Sequence, residues 1–211
     1  TNTLTLPTGA SFNALTQTFT WTPTYDQAGN YLNVHFEVTD GTLTDTENIT
    51  ITVNNTNRAP VLAAIGAKSV DENALLSFVI SATDPDGNAL TYSTNALTLP
   101  TGASFNALTQ TFTWTPTYDQ AGSYANIHFE VTDGLLTASE DITITVNNVN
   151  RAPVLGSIGN KSVDENALLN FVISATDPDG STLTYSASNL PNGASFDVLT
   201  KAFTWTPTFD Q

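Results

Sequence analysis

The feature that most constrains this chain is that it repeats itself. The segment from Leu4 to Gly29 (LTLPTGASFNALTQTFTWTPTYDQAG) recurs unchanged from Leu97 to Gly122, 93 residues further on. A diverged third copy runs from Leu190 to Gln211, two residues short of the same spacing. Asn-Arg-Ala-Pro-Val-Leu begins at Asn57 and again at Asn150, and Ser-Val-Asp-Glu-Asn-Ala-Leu-Leu at Ser69 and Ser162. A period of that length is one folding unit, the size of a small β-sandwich. Taking the Arg-Ala-Pro segments as starting points gives residues 1–57 as the C-terminal part of one repeat, 58–150 as a complete repeat and 151–211 as the N-terminal part of the next. A broken sandwich exposes unpaired sheet edges, so the expectation is that the native chain continues in both directions through further repeats.

Within one period the apolar pattern is that of strands. Leu76, Phe78 and Ile80 alternate with Ser77, Val79 and Ser81, Phe112 and Trp114 with Thr111, Thr113 and Thr115, and Ile127, Phe129 and Val131 with His128 and Glu130. Ile142, Ile144 and Val146 complete the set against Thr143 and Thr145. Period-2 alternation rich in β-branched and aromatic residues, broken by Asp-Gly, Pro and Asn-rich turns, predicts an all-β fold. The expected architecture is a tandem series of antiparallel β-sandwiches of about seven strands each. Trp114 and its copies Trp21 and Trp205 are the expected core anchors.

Composition narrows the function. Twenty acidic residues against five basic ones leave a formal net charge of -15, which repels polyanions and excludes nucleic acid as a partner. The surplus suits two situations equally, a chain kept soluble by its charge and a chain neutralised by divalent cations. No apolar run approaches membrane-spanning length, so no membrane insertion is expected within this stretch. The absence of Cys removes disulfides and thiolate metal sites, and fits surface proteins that fold without redox help. His35 and His128 occupy equivalent positions on the polar side of a strand, one per repeat, with no nucleophile motif beside them. No catalytic residue is assigned, and the chain is expected not to be an enzyme. The Thr ladders at Thr18 to Thr24 and Thr111 to Thr117 read as solvent-facing strand formers. Asn48-Ile49-Thr50 and Asn54-Asn55-Thr56 match the N-glycosylation pattern, as chance alone arranges in a chain rich in Asn and Thr.

Taken together, the Asn-Arg-Ala-Pro segment at Asn150, Val70-Asp71-Glu72-Asn73, Ala82-Thr83-Asp84-Pro85-Asp86-Gly87, the Leu99 to Phe105 stretch, the Thr113 to Gly122 run and the strand ending at Asp133-Gly134 resemble the cadherin-like and immunoglobulin-like repeats of bacterial and archaeal surface adhesins, including the dystroglycan-type variant. The resemblance covers the whole chain and implies an immunoglobulin/cadherin-like sandwich. It also implies Ca2+ at the junctions between repeats. By position, the junction near Asn150 would draw on Glu72, Asp119, Asn147 and Asn150, then on Asp177 and Asp179. The junction near Asn57 would use Asp26, Asn54, Asn57, Asp84 and Asp86, and Asp133 and Asp40 end their strands where the family places a further bridging aspartate. One departure stands out: where a typical cadherin linker offers two Asp and an Asn, this one has Asn147, Asn150 and then Arg151, which removes ligand charge and adds a cation beside the site. Asp84-Pro85-Asp86-Gly87 is equally the composition of an ordinary turn, and Glu72-Asn73 of a solvated loop.

The function expected on this basis is architectural: stalk or spacer repeats of a large extracellular surface protein or fibre, projecting or linking other modules in cell adhesion. The expected partners are neighbouring repeats of the same chain, with lateral or fibre self-association. The alternative is an adhesive module that binds carbohydrate or protein through exposed loops, for which Tyr31 and Tyr124 near strand starts are the available aromatics.

Overall fold

The computed structural model describes residues 6–97 and 99–211; Leu4 and Thr5, which open the recurring segment, and Thr98 lie outside the described residues. The first copy supplies β1 (Ser11–Asn13), β2 (Thr18–Thr20), β3 (Gly29–Thr39) and β4 (Thr44–Val53). The middle copy supplies β5 (Val61–Leu62), β6 (Lys68–Asp71), β7 (Leu76–Val79), β8 (Ala82–Thr83) and β9 (Thr91–Thr94). It continues through β10 (Ser104–Asn106), β11 (Thr111–Trp114), β12 (Gly122–Thr132) and β13 (Thr137–Asn147). The third copy supplies β14 (Val154–Leu155), β15 (Leu169–Val172), β16 (Ala175–Thr176), β17 (Ser195–Asp197) and β18 (Ala202–Trp205). The fold is all-β, as the alternation predicts.

By packing, the chain divides into two compact units. One comprises Thr1–Ala67, Ser77–Trp114 and Ala125–Thr143; the other comprises Lys68–Leu76, Thr115–Tyr124 and Ile144–Gln211. The division runs through the middle copy, so each Asn-Arg-Ala-Pro segment lies inside one unit.

In the first unit, β11 lies between β10 and β7 in one sheet, and β9 pairs antiparallel with β12 in another. Phe129 of β12 meets the opposing sheet edge-on, 5.8 Å from Phe78, 5.6 Å from Phe105 and 6.0 Å from Phe112 between ring centroids. Phe78 stacks on Phe112 at 5.0 Å. This aromatic layer is the centre of the sandwich, and Phe112, Trp114, Ile127, Phe129 and Val131 are essentially fully buried. The alternation holds in detail, since Val79, set opposite to Phe78 and Ile80, is 64% exposed. In the first copy β3 pairs with β4, and its register slips between Tyr31 and Val34, where Asn33 takes a positive φ of 58°. That bulge re-phases the strand so that Val34 is buried.

In the second unit, β15, β18 and β17 form an antiparallel sheet in that order, with Phe171 stacked on Phe203 at 5.0 Å. Beside these antiparallel pairs, β6 pairs parallel with the end of β13, Val70 opposite Val146 and Asp71 opposite Asn147. β6 is the edge strand of its sheet and lies alongside β13, so that the strand leading out of a repeat is gripped by a strand near its start. The tryptophans differ as well. Trp114 is 1% exposed, whereas Trp21 and Trp205 are half-buried, because their copies contribute fewer strands to cover them.

Candidate functional site

Each Asn-Arg-Ala-Pro segment builds the same polar cluster, and the Asp-Pro-Asp-Gly turn is its foundation. Asp84 Oδ1 accepts the backbone N–H groups of Asp86 at 2.8 Å and Asn88 at 3.1 Å, while Gly87, at φ +77°, donates its N–H to the Asp84 carbonyl. This Asx-type turn fixes the direction of the Asp86 side chain. The Asp86 carboxylate then receives Arg58 three times: the backbone N–H on Oδ2 at 2.6 Å, and Nε and Nη2 on Oδ1 at 3.0 and 2.8 Å. Arg58 Nη2 also donates to the Pro85 carbonyl at 2.7 Å. The Asp86 side chain is only 5% exposed, so its charge is removed from water and matched by the guanidinium.

The other side of Arg58 faces the preceding repeat. A single 3-10 turn over Tyr25–Gln27, closed by the Thr24 N–H donating to Gln27 Oε1 at 2.8 Å, presents Tyr25 and Asp26. Arg58 Nη1 donates to Asp26 Oδ1 at 3.0 Å, and its Cζ sits 5.6 Å from the Tyr25 ring centroid, within cation-π range. One guanidinium thus joins the end of one repeat to the start of the next.

The second junction repeats the design. Arg151 donates its backbone N–H to Asp179 Oδ2, Nε to Asp179 Oδ1 at 2.9 Å and Nη2 to the Pro178 carbonyl at 2.9 Å. Asp177 Oδ1 accepts the N–H groups of Asp179 and Ser181, and the Tyr118 ring lies 5.3 Å from Arg151 Cζ. The contact with the preceding repeat is looser, Asp119 Oδ1 standing 3.5 Å from Nη2. The Arg58 guanidinium and backbone N–H hold the Asp86 carboxyl below the usual carboxylate range. At Asp179 the Arg151 N–H does so first, with the side chain adding to it.

The remaining expected ligands are placed as follows. Glu72 is 3% exposed: its Oε1 accepts the Ala121 N–H at 3.1 Å and its Oε2 the Val149 N–H at 2.8 Å, so the carboxylate caps two backbone donors. The solvated loop weighed for Glu72-Asn73 is therefore corrected, since Asn73, at φ 59°, donates its own N–H to the Pro116 carbonyl. Asn147 Nδ2 donates to Asp71 Oδ1, and Asn150 Oδ1 accepts from Ser181 Oγ at 3.5 Å. Asn57 donates Nδ2 to Asp133 Oδ2 at 2.8 Å and accepts from Asn88. Asp133 thereby belongs to the start of its own repeat, at the Asn57 junction. Its copy Asp40 accepts the N–H groups of Thr42 and Leu43, and Asn54 lines a shallow cleft with Pro23 and Tyr25.

The fit to Ca2+ is decided by these partners. Calcium takes roughly six to eight oxygen ligands. Glu72 spends both carboxylate oxygens on backbone N–H groups, Asp86 and Asp179 spend theirs on arginine, and among the described residues no three acidic or imidazole side chains converge. Asp84 Oδ2 is buried without a hydrogen-bond partner, and one such oxygen falls far short of a calcium shell. The donor set as arranged suits a guanidinium and does not suit the metal.

Sequence reasoning placed Arg151 beside the cluster but missed its central role, along with Tyr25 and Tyr118. The available signal was spacing: Arg58 and Asp86, and Arg151 and Asp179, are both 28 residues apart. His35 and His128 lie on strand faces beside Asn48 Oδ1 at 2.8 Å and Asp141 Oδ1 at 2.7 Å. Tyr31 and Tyr124 turn their hydroxyls onto the Gln27 and Gln120 carbonyls.

Comparison with known proteins places this architecture. Chitinase A of Pseudoalteromonas piscicida is 34% identical over 134 residues, covering 63% of this chain and 16% of that protein. Integrin beta-like protein A of Dictyostelium discoideum is 29% identical over 190 residues, covering 76% of this chain and 10% of that protein. The chain therefore spans a small fraction of the length of these relatives. Among solved structures, human protocadherin-24 EC1-2 aligns with 74% of this chain and 82% of its own at 15% identity and a TM-score of 0.49. The family described as "Putative Ig domain" matches three times, over residues 1–54, 59–147 and 152–211. With nearly its whole length matched in three tandem copies, the chain belongs to that immunoglobulin-domain family.

Proposed function

We propose that this chain is a set of architectural repeats of an extracellular adhesion-type protein, holding or linking other modules at a cell surface or in a fibre. The observation that carries the reading is the junction: one Arg, Asp and Tyr arrangement, built twice, links consecutive repeats at equivalent positions, more tightly at Arg58 than at Arg151. A repeat array whose units interact mainly with their neighbours changes length by whole units without loss of fold. The division at residues 57/58 and 150/151 follows the same logic, with one repeat per period.

The relatives support the adhesive context, since one is named as integrin beta-like, and the match to a chitinase suits a module that accompanies other domains. The role is structural rather than catalytic, and self-association of neighbouring chains belongs to the same reading. Two arms of one experiment test it. Antibodies against the 211-residue chain should label intact source cells, and the chain on a glycan array should give no selective signal. Antigen confined to the cell interior would refute the reading, and selective glycan retention would favour a binding module acting through its loops.

A further inference from the structure

We infer that Arg58 and Arg151 are built-in cations, and that these repeat junctions hold without calcium. The inference does not depend on the spacer role, because it concerns what neutralises the carboxylates and not what the array carries.

At the first junction two carboxylates from consecutive repeats, Asp26 and Asp86, both bind the one guanidinium, at 3.0 and 2.8 Å. Divalent cations bridge acidic groups in the same manner, by accepting electron density from several oxygens at once. Arg supplies a fixed fork of donors and a charge that no accessible pH removes. Here all three guanidinium nitrogens donate to carboxylates, Nε and Nη2 to Asp86 and Nη1 to Asp26, and Nη2 also to the Pro85 carbonyl, with the Tyr25 face against the carbon. The backbone N–H of the same residue takes the second oxygen of Asp86, so side chain and main chain are locked together.

The second junction shows that the arrangement is a design rather than an accident of one loop. Arg151 reproduces the backbone, Nε and carbonyl bonds onto Asp179 and Pro178, and the Tyr118 stacking. Glu72 adds its charge to the field that favours the Arg151 cation while its oxygens stay on backbone donors. A calcium ion entering either cluster would have to displace the guanidinium and leave that charge beside the metal.

The intact 211-residue chain carries five basic residues, so trypsin reports directly on these arginines. Cleavage of the Arg58-Ala59 and Arg151-Ala152 bonds, followed by mass spectrometry, should be equally slow in millimolar calcium and in excess chelator. Asp86→Asn and Asp179→Asn should each speed cleavage at the matching arginine on the order of tenfold, because proteolysis follows the population of the opened state. Cleavage after Lys161, in an exposed loop, should not change and serves as the internal reference. Should a substitution unfold its repeat, cleavage after Lys68 or Lys201 would rise as well, and calcium binding by the unmodified chain then decides the matter. Equilibrium dialysis should find no saturable calcium uptake at millimolar concentration. Chelator-induced cleavage of the native chain, Asn variants that cut no faster at their arginine, or stoichiometric calcium uptake would each overturn the inference.

Discussion

Replacing Glu72 by Ala tests most sharply how the end of a repeat is held. The Glu72 carboxylate is buried and accepts two backbone N–H groups, from Ala121 and Val149, brought to it from 49 and 77 residues away. Hydrogen bonds to a charged group contribute about 1.5–3 kcal/mol each, and their loss leaves two donors unsatisfied in a buried setting. Two such bonds amount to about 3–6 kcal/mol, and water entering the vacated space returns part of it, so a net loss of about 3 kcal/mol is expected. In a domain of this size that corresponds to a fall in melting temperature of roughly 12–24 °C. Glu72→Gln should lose nearly as much, since its amide NH2 turns a donor toward one of the same N–H groups. Calorimetry of the 211-residue chain gives the loss, and residue-resolved amide exchange should show protection vanishing at Ala121 and Val149. Because Glu72 works as a backbone cap, the loss should be the same in calcium and in chelator. A loss below about 1 kcal/mol, well under the contribution of even one charged hydrogen bond, or one present only when calcium is bound, would refute this reasoning.

Three further outcomes follow from the geometry. Trp114→Ala should cost about 3–5 kcal/mol in chemical denaturation, and Trp21→Ala clearly less, because only the former is fully enclosed. Gly102→Ala should cost about 1–2 kcal/mol by the same assay, since Gly102 sits at φ +87° beneath the Trp114 indole, where an L residue is strained. Asp86 and Asp179 carry depressed pKa values when folded, so their stabilisation is full above the ordinary value of 3.8 and fades as pH falls through the folded values. Acid melting should therefore steepen below about pH 4, and Asp86→Asn with Asp179→Asn should flatten that slope.

Much of the fold could be read directly from the residues, for a local reason. Strand alternation places Ile127, Phe129 and Val131 on one face regardless of what packs against them, and the structure buries all three. The parallel pairing of β6 with β13 could not be read that way, because alternation carries no information on strand direction. The candidate site was legible as a set of positions but not as chemistry. Glu72 looked like a free ligand until its partners from distant segments were seen, and Asp133 took its place only when the turn after β12 met Asn57. Arg151 carried the most information, since a cation beside an acidic cluster either weakens a metal site or replaces the metal. Bond directions alone distinguish those cases, and at Asp86 and Asp179 they run from arginine to carboxylate.

The most direct measurement is the NMR signal of the Arg58 and Arg151 Nε–H groups, recorded on the 211-residue chain in chelator and then in millimolar calcium. Both should appear as slowly exchanging, downfield-shifted protons bonded to carboxylates, unchanged by calcium. Rapid averaging in chelator, or loss of the signals when calcium is added, would contradict the account.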